Sequence, residues 1–391
     1  MRSLIRGGDA YTPDGLIHDA AVLVEDGKIV FVGPRTQVPS LASVDVEIDA
    51  HGGVIAAGFI DLQINGAGGR FLTEEPTVDA VLGMARTVSR YGCTAFLPTV
   101  ITSAFKTMLT AVRAVHDASQ QVTDGAHVLG VHLEGPFINP EAAGAHDAAY
   151  IRPPSVDDLA ALWEVSGGSI KLLTLAPEMP GALDLSRAAK RYGIAVAVGH
   201  TRADYPQMME AVDAGAGLAT HLFNAMGGLT ARDPGATGAV LASSEFKASL
   251  IADGYHVHPA MIDLAVRTKG VDGLVLVTDA MPPMGTDLTE FTLYGQSITV
   301  RDGACFMADG TLAGSMLTMD RAVRNMRDLV DLSVQDALVM ASANPAKVVG
   351  ESEYRGALAD GKAADIVVMD SDLNVTTTIV DGNIVYQDGA A

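Results

Sequence analysis

Cysteine is scarce in this chain. Only Cys93 and Cys305 occur in 391 residues. Their spacing fits no zinc knuckle and two thiols make no disulfide scaffold, so both read as ordinary thiols. Positive charge is also short: 26 Lys and Arg stand against 47 Asp and Glu, for a formal net charge of −21. Such a surface repels nucleic acid and anionic membranes and argues against both as partners. It opposes anionic metabolites too, so a phosphorylated substrate would need a local cluster of positive groups. No apolar run approaches the roughly 20 residues that span a bilayer. The first residues, Met1-Arg2-Ser3-Leu4-Ile5-Arg6-Gly7-Gly8, lack the apolar core of a signal peptide. The cytoplasm is the expected location. Internal repeats and low-complexity tracts are missing as well.

What is present suits a packed α/β enzyme with many tight loops: 48% hydrophobic residues, 19% charged and 41 Gly. The length allows one large barrel and a small accessory domain. Residues 21–33 read as two short strands around a Gly-containing turn. Residues 364–370 and 377–386 read as strands with an Asp-Gly turn. Neither end could bury a core alone, so residues 1–56 and 345–391 are expected to pair as one small β-sandwich.

Between them, residues 57–344 alternate strand and helix. The strand candidates are 56–61, 95–99, 127–133, 170–175, 195–198, 217–220, 247–251 and 274–277. Helices are expected around 77–91 and 103–119. The strand runs are apolar without alternation, as for strands buried on both faces. Eight of them predict a (β/α)8, TIM-like barrel.

Four of these runs end in one polar residue followed by a loop. They are Val131-His132-Leu133-Glu134-Gly135-Pro136-Phe137, Val198-Gly199-His200-Thr201, Thr220-His221-Leu222-Phe223-Asn224-Ala225-Met226 and Val277-Thr278-Asp279-Ala280. A barrel presents catalytic groups at the C-terminal ends of its strands. Singly, Glu134 reads as a solvated loop residue, His200 or His221 as a structural histidine, and Asp279 as a helix cap. Together they form a two-His, one-Glu ligand set for a catalytic metal, with Asp279 as general base and acid. Zn2+ suits the set, and Fe2+ or another divalent ion would also fit.

These four motifs, in this order, resemble the amidohydrolase superfamily, and within it the branch that deacetylates N-acetylglucosamine 6-phosphate. The resemblance runs from Gly58-Phe59-Ile60-Asp61-Leu62-Gln63-Ile64-Asn65-Gly66 to the 356–365 segment. It implies a metal-dependent hydrolase releasing acetate and an amino-sugar 6-phosphate, built as a homodimer with shared active sites. Most members carry His-x-His on the first strand for a second metal. Here those positions are Gln63 and Asn65, poor ligands, so one metal per subunit is expected and Gln63 marks a vestigial second position. Lys171 reads as structural rather than as a bridging carboxylated lysine. The resemblance further assigns His146 to the scissile carbonyl, with Ala145 beside it. It assigns Asn224 and Ala225 to the sugar phosphate and Arg232 and His256 to the phosphate, one or both reaching in from a partner subunit. The Leu312-Ala313-Gly314-Ser315 turn is assigned to the substrate-lining loop. The rivals are the same reaction on N-acetylgalactosamine 6-phosphate, another cyclic amidohydrolase, and a non-catalytic relative.

Overall fold

A computed structural model describes residues 1–39 and 43–389. Residues 40–42 and 390–391, inside the two terminal segments, lie outside the described residues. The middle of the chain forms eight strands, numbered here in chain order. They are β1 (Phe59–Ile64), β2 (Cys93–Ile101), β3 (Val131–Glu134), β4 (Ile170–Leu175), β5 (Ala195–Val198), β6 (Ala216–Ala219), β7 (Lys247–Leu250) and β8 (Leu274–Leu276). Each pairs in parallel with the next. Backbone bonds bring β8 round to β1: Asp279 N–H donates to Gln63 O at 2.9 Å, and Asn65 N–H to Ala280 O at 2.9 Å. The result is a nearly closed barrel whose seam carries Gln63 and Asn65 on one side and Asp279 on the other.

The strands are apolar because helices cover the outside while side chains fill the inside. Every residue of β1 and β2 is buried. Phe59, Leu62, Phe96 and Phe246 are fully enclosed, and each such burial contributes about 1.5–3 kcal/mol. Helices Val78–Ser89, Phe105–Ser119, Val156–Val165, Ala182–Arg191, Tyr205–Asp213, Gly235–Ala242, Pro259–Lys269 and Met319–Val330 follow the eight strands. Local chemistry starts several of them. Thr77 and Ser155 accept from the third residue beyond, and Asp204 with Gln207 forms a reciprocal capping box. No helix among the described residues is long and apolar enough to cross a membrane.

The two ends of the chain share one eight-stranded sheet. Its path runs Asn383–Gln387, Val375–Val380, Ile366–Met369, Val54–Ala57, Arg2–Thr12, Gly15–Glu25, Lys28–Pro34. It forks at Arg2–Thr12, where Ser3–Arg6 pairs with 46–49 while Asp9–Ala10 pairs with 54–55. The fork folds the sheet around its own core, including Ile5, Val22, Ile55, Ile366 and Ile379. The first expected barrel strand, 56–61, is therefore two elements. Val54–Ala57 pairs with Ile366–Met369, and the barrel strand starts at Phe59. Gly58 joins them, where a Cβ would meet Thr94 at 2.1 Å.

A second difference lies between β8 and its helix. Leu312–Ser315, expected as a turn, is the last strand of a four-stranded antiparallel sheet with Glu290–Leu293, Gln296–Arg301 and Ala304–Phe306. This insertion packs Ile298, Cys305 and Ala313 against Phe71, Ile101 and Met281, which accounts for Cys305 as a buried thiol. It walls one side of the barrel mouth. Lys171, at the other end of the barrel, ion-pairs with Glu351 at 3.1 Å.

Candidate metal centre and active site

Glu134 ends β3, and His200, His221 and Asp279 stand two or three residues past the ends of β5, β6 and β8. The turns there are tight. His200, His221 and Asp279 have φ of 49°, 34° and 48°, a region sparsely populated by residues other than Gly. Each such residue costs on the order of 1–3 kcal/mol, a strain that clusters at working sites. The turn swings the side chain back over the barrel axis. Glu134 itself is followed by Gly135 at φ 85°, where a Cβ would meet Thr102 Oγ1 at 2.2 Å.

Three ligand atoms converge. Glu134 Oε1 lies 2.9 Å from His221 Nε2 and 3.2 Å from His200 Nε2, and the two Nε2 atoms are 3.0 Å apart. His200 Nδ1 is 2.9 Å from Ala142 O. A carbonyl can only accept, so Nδ1 carries a hydrogen, and the ring presents Nε2 to the carboxylate as its ligand atom. The donor set therefore fits a divalent ion with room for other ligands. All three side chains are buried. Burial alone would raise the Glu134 pKa, but the two histidines outweigh it and hold the carboxyl well below its usual range. Glu134 is ionised, as a ligand must be.

Gln63 and Asn65 tie this cluster to Asp279. Gln63 Nε2 donates to Glu134 Oε1 at 2.8 Å and to Asp279 Oδ1 at 3.2 Å. Asn65 Nδ2 donates to Asp279 Oδ1 at 2.7 Å. Amide N–H groups thus stand between the two carboxylates. Burial and the Glu134 charge push Asp279 up to about 6. Both amide donors fall on Oδ1, and Oδ2 takes none from the described residues. His146 Nδ1 is 2.8 Å from Thr102 Oγ1, and its ring lies 4.4 Å from that of His200. Burial and His200 push it down to about 3, so the imidazole is neutral at pH 7.

These groups line a cavity of about 330 Å3. Ala145, His146, Asn224, Ala225 and His256 line it, and Leu312, Ala313 and Gly314 contribute from the inserted sheet. Asn224 Nδ2 donates to His221 O at 3.2 Å. Asp253 holds the His256 ring, with Oδ2 2.6 Å from Nδ1. Gln63 sits behind the wall rather than on it. Arg232 is exposed on the loop after β6 and does not line the cavity of its own chain. Sequence reasoning passed over Arg202, Glu141 and Met281, which do line it, and Thr102, which fixes His146. Arg202 stands two residues past His200, a place where a basic residue deserved weight. A second cluster, His127 with Asp365 and Asp381, also gathers ligand-type atoms. There Arg355 already supplies the cation, its Nη1 2.7 Å from Asp365.

A barrel that gathers two histidines and a glutamate at its C-terminal face, with an aspartate from β8 beside them, is the frame of a metal-dependent hydrolase. The amidohydrolase family profile matches residues 54–385, and the chain belongs to that family. It is 37% identical to the N-acetylglucosamine-6-phosphate deacetylase of Bacillus subtilis over 391 aligned positions, covering 98% of this chain and 97% of the relative. It is 34% identical to the N-acetylgalactosamine-6-phosphate deacetylase of Escherichia coli O157:H7, covering 98% and 99%. Among solved structures, that of N-acetylglucosamine-6-phosphate deacetylase from Pasteurella multocida superposes with a TM-score of 0.93 at 34% identity, over 98% of this chain and 99% of the other.

Proposed function

We propose that this chain is a metal-dependent deacetylase that hydrolyses N-acetyl-D-glucosamine 6-phosphate to D-glucosamine 6-phosphate and acetate. One observation carries the reading. Glu134, His200 and His221 bring three ligand atoms within 3.2 Å of one another, and Gln63 links them to a general base just past β8. Glu134, His200 and His221 would hold one divalent ion per subunit, with Zn2+ the best match to the set and Fe2+ or another divalent ion an alternative. When bound, the ion supplies Lewis acidity toward a water nucleophile and an amide carbonyl.

The chain's own residues do the rest. Asp279 takes a proton from the attacking water through Oδ2, its free oxygen. Gln63 and Asn65 fix the other oxygen and keep Glu134 and Asp279 from repelling each other apart. Neutral His146 donates to the carbonyl oxygen as negative charge develops there. That role needs hydrogen on Nε2, and the Thr102 hydroxyl accommodates that tautomer by donating to Nδ1. When the C–N bond breaks, protonated Asp279 passes its proton to the amine. Water's OH ends on the acetyl carbon and its hydrogen on nitrogen. Asn224, Ala225 and the 312–314 strand hold the sugar. His256 meets the phosphate, joined by Arg232 from a second copy of the chain.

A second reading is favoured by the E. coli O157:H7 relative: the same reaction on N-acetylgalactosamine 6-phosphate, which differs in the orientation of one hydroxyl. Acetate release from the two sugar phosphates, measured with metal content on the same preparation, separates them. Preference for the gluco substrate is expected. Release from neither would end the deacetylase reading.

A further inference from the structure

We propose that Arg202 is a specificity-determining residue that engages the anionic group of the substrate from within the site's own chain. The inference rests on the sugar-phosphate reading above and concerns a residue that reading does not use. The cavity is strongly acidic: Glu134, Glu141 and Asp279 line it, in a chain of net charge −21. Arg202 is the one Lys or Arg among the described residues that lines it. Apart from the ion that Glu134, His200 and His221 would hold, Arg202 is the permanent positive charge this lining offers a dianion.

Arg202 is held in place but not neutralised. Its backbone N–H donates to Glu178 Oε1 at 2.6 Å, and Thr201 Oγ1 donates to Glu178 Oε2 at 2.5 Å. Glu178 therefore fixes the turn through its backbone side. The guanidinium donates from Nη2 to Glu141 O at 3.0 Å, a neutral carbonyl, and among the described residues it has no carboxylate within ion-pair distance. A guanidinium carries five donors, so one bond to a carbonyl leaves several for a ligand. The turn also stands against the loop assigned to the sugar phosphate. Thr201 N–H donates to Ala225 O at 3.1 Å, and Thr201 bridges Met226. Arg202 is only two residues past His200, so its Cα lies within about 8 Å of that ligand's Cα. His200 and Arg202 line the same cavity. The fork geometry of Arg suits a phosphate better than a point charge does.

The test compares Arg202→Gln and Arg202→Lys with the parent holoenzyme in two ways. Calorimetric titration with glucosamine 6-phosphate and with glucosamine reads binding without turnover. Acetate release from N-acetylglucosamine 6-phosphate and from N-acetylglucosamine reads catalysis. For Arg202→Gln, Kd for glucosamine 6-phosphate and KM for its acetylated form should rise roughly ten- to a hundred-fold, the loss of one charge-assisted contact. Values for the unphosphorylated sugars should change less than about two-fold, and Arg202→Lys should restore part of the loss. Equal losses on both sugars would reduce Arg202 to a tie between two loops and overturn the proposal, as would unchanged Kd for the phosphate. If the parent releases no acetate yet binds glucosamine 6-phosphate through Arg202, the deacetylase reading fails and this one stands.

Discussion

At the scale of the residue, the site depends on one pair of carboxylates whose pKa values are driven in opposite directions. Two histidines hold Glu134 ionised, whereas burial beside Glu134 pushes Asp279 up to about 6. Such a split separates ligand from proton carrier. Asp279→Asn keeps the shape and removes the acceptor, so kcat should fall by roughly 10²- to 10⁴-fold, the usual span for general acid–base catalysis. Metal should stay bound, because Asp279 lies outside the converging triad. Near-normal kcat in this variant would remove it as the base. The pH dependence has a definite sign. Only the carboxylate form of Asp279 can take a proton, so kcat/KM should decline as pH falls through about 6. A bound cation favours the carboxylate and would move that limb lower still. A rate profile that climbs toward acid would contradict the assignment. Metal stoichiometry belongs to this scale too. With amides at 63 and 65, purified protein should retain about one divalent ion per chain after dialysis, as one three-ligand site implies. His200→Ala or His221→Ala should lose it while the circular dichroism of the barrel persists. Two ions that both resist dialysis would show that Gln63 and Asn65 do not close the second position.

At the scale of the element, the barrel was legible where strands are buried on both faces. Ile170–Leu175 and Ala195–Val198 have the bounds read from apolar runs alone, because parallel strands inside a helical ring leave no polar face to blur them. The run 127–133 reads as one strand in the sequence but is two, His127–Val128 and Val131–Glu134, with Gly130 at φ 148° between them. The inserted sheet is hard to read in the sequence because its strands are short and the first two are largely unburied; Gln296–Arg301 has one buried residue. Glu134, His200, His221 and Asp279 were readable because each is a polar stop after an apolar run. Arg202 and Thr102 were not, since their place in the cavity depends on how loops fold over it. The turn after β5 shows that dependence. Glu178 accepts from Asn139 Nδ2 at 2.8 Å, Thr201 Oγ1 at 2.5 Å and Arg202 N–H at 2.6 Å. One carboxylate thus ties the loops after β3, β4 and β5 behind His200. Glu178→Ala should weaken metal binding about ten- to a hundred-fold, the usual cost of losing a group that orients a ligand. Competition with a chromogenic chelator would measure it. Unchanged affinity would mean the turn needs no such tie.

At the scale of the whole molecule, charge sets the problem that assembly would solve. A chain of net charge −21 must admit a dianion into a cavity lined by three carboxylates. His256 and Arg202 line that cavity, but Arg232 does not reach the cavity of its own chain. It stands exposed on the loop after β6, where a second copy could receive it. If two copies exchange these loops, each site is shared and the protein is a homodimer. Arg232→Ala should then lower kcat/KM on N-acetylglucosamine 6-phosphate by roughly ten- to a hundred-fold, because a charge-assisted hydrogen bond contributes about 1.5–3 kcal/mol. Weak turnover of the unphosphorylated sugar should hardly change. Mixing supplies the sharper test. Asp279→Asn chains lack the base and Arg232→Ala chains lack the cation, so homodimers of either are impaired. In a mixed dimer one site joins an intact Asp279 to an intact Arg232 from its neighbour. Activity on the phosphorylated sugar should therefore recover as subunits exchange, toward one working site per mixed dimer. Exchange confirmed by native mass spectrometry without any recovery would place Arg232 outside the shared site, leaving His256 and Arg202 to meet the phosphate alone.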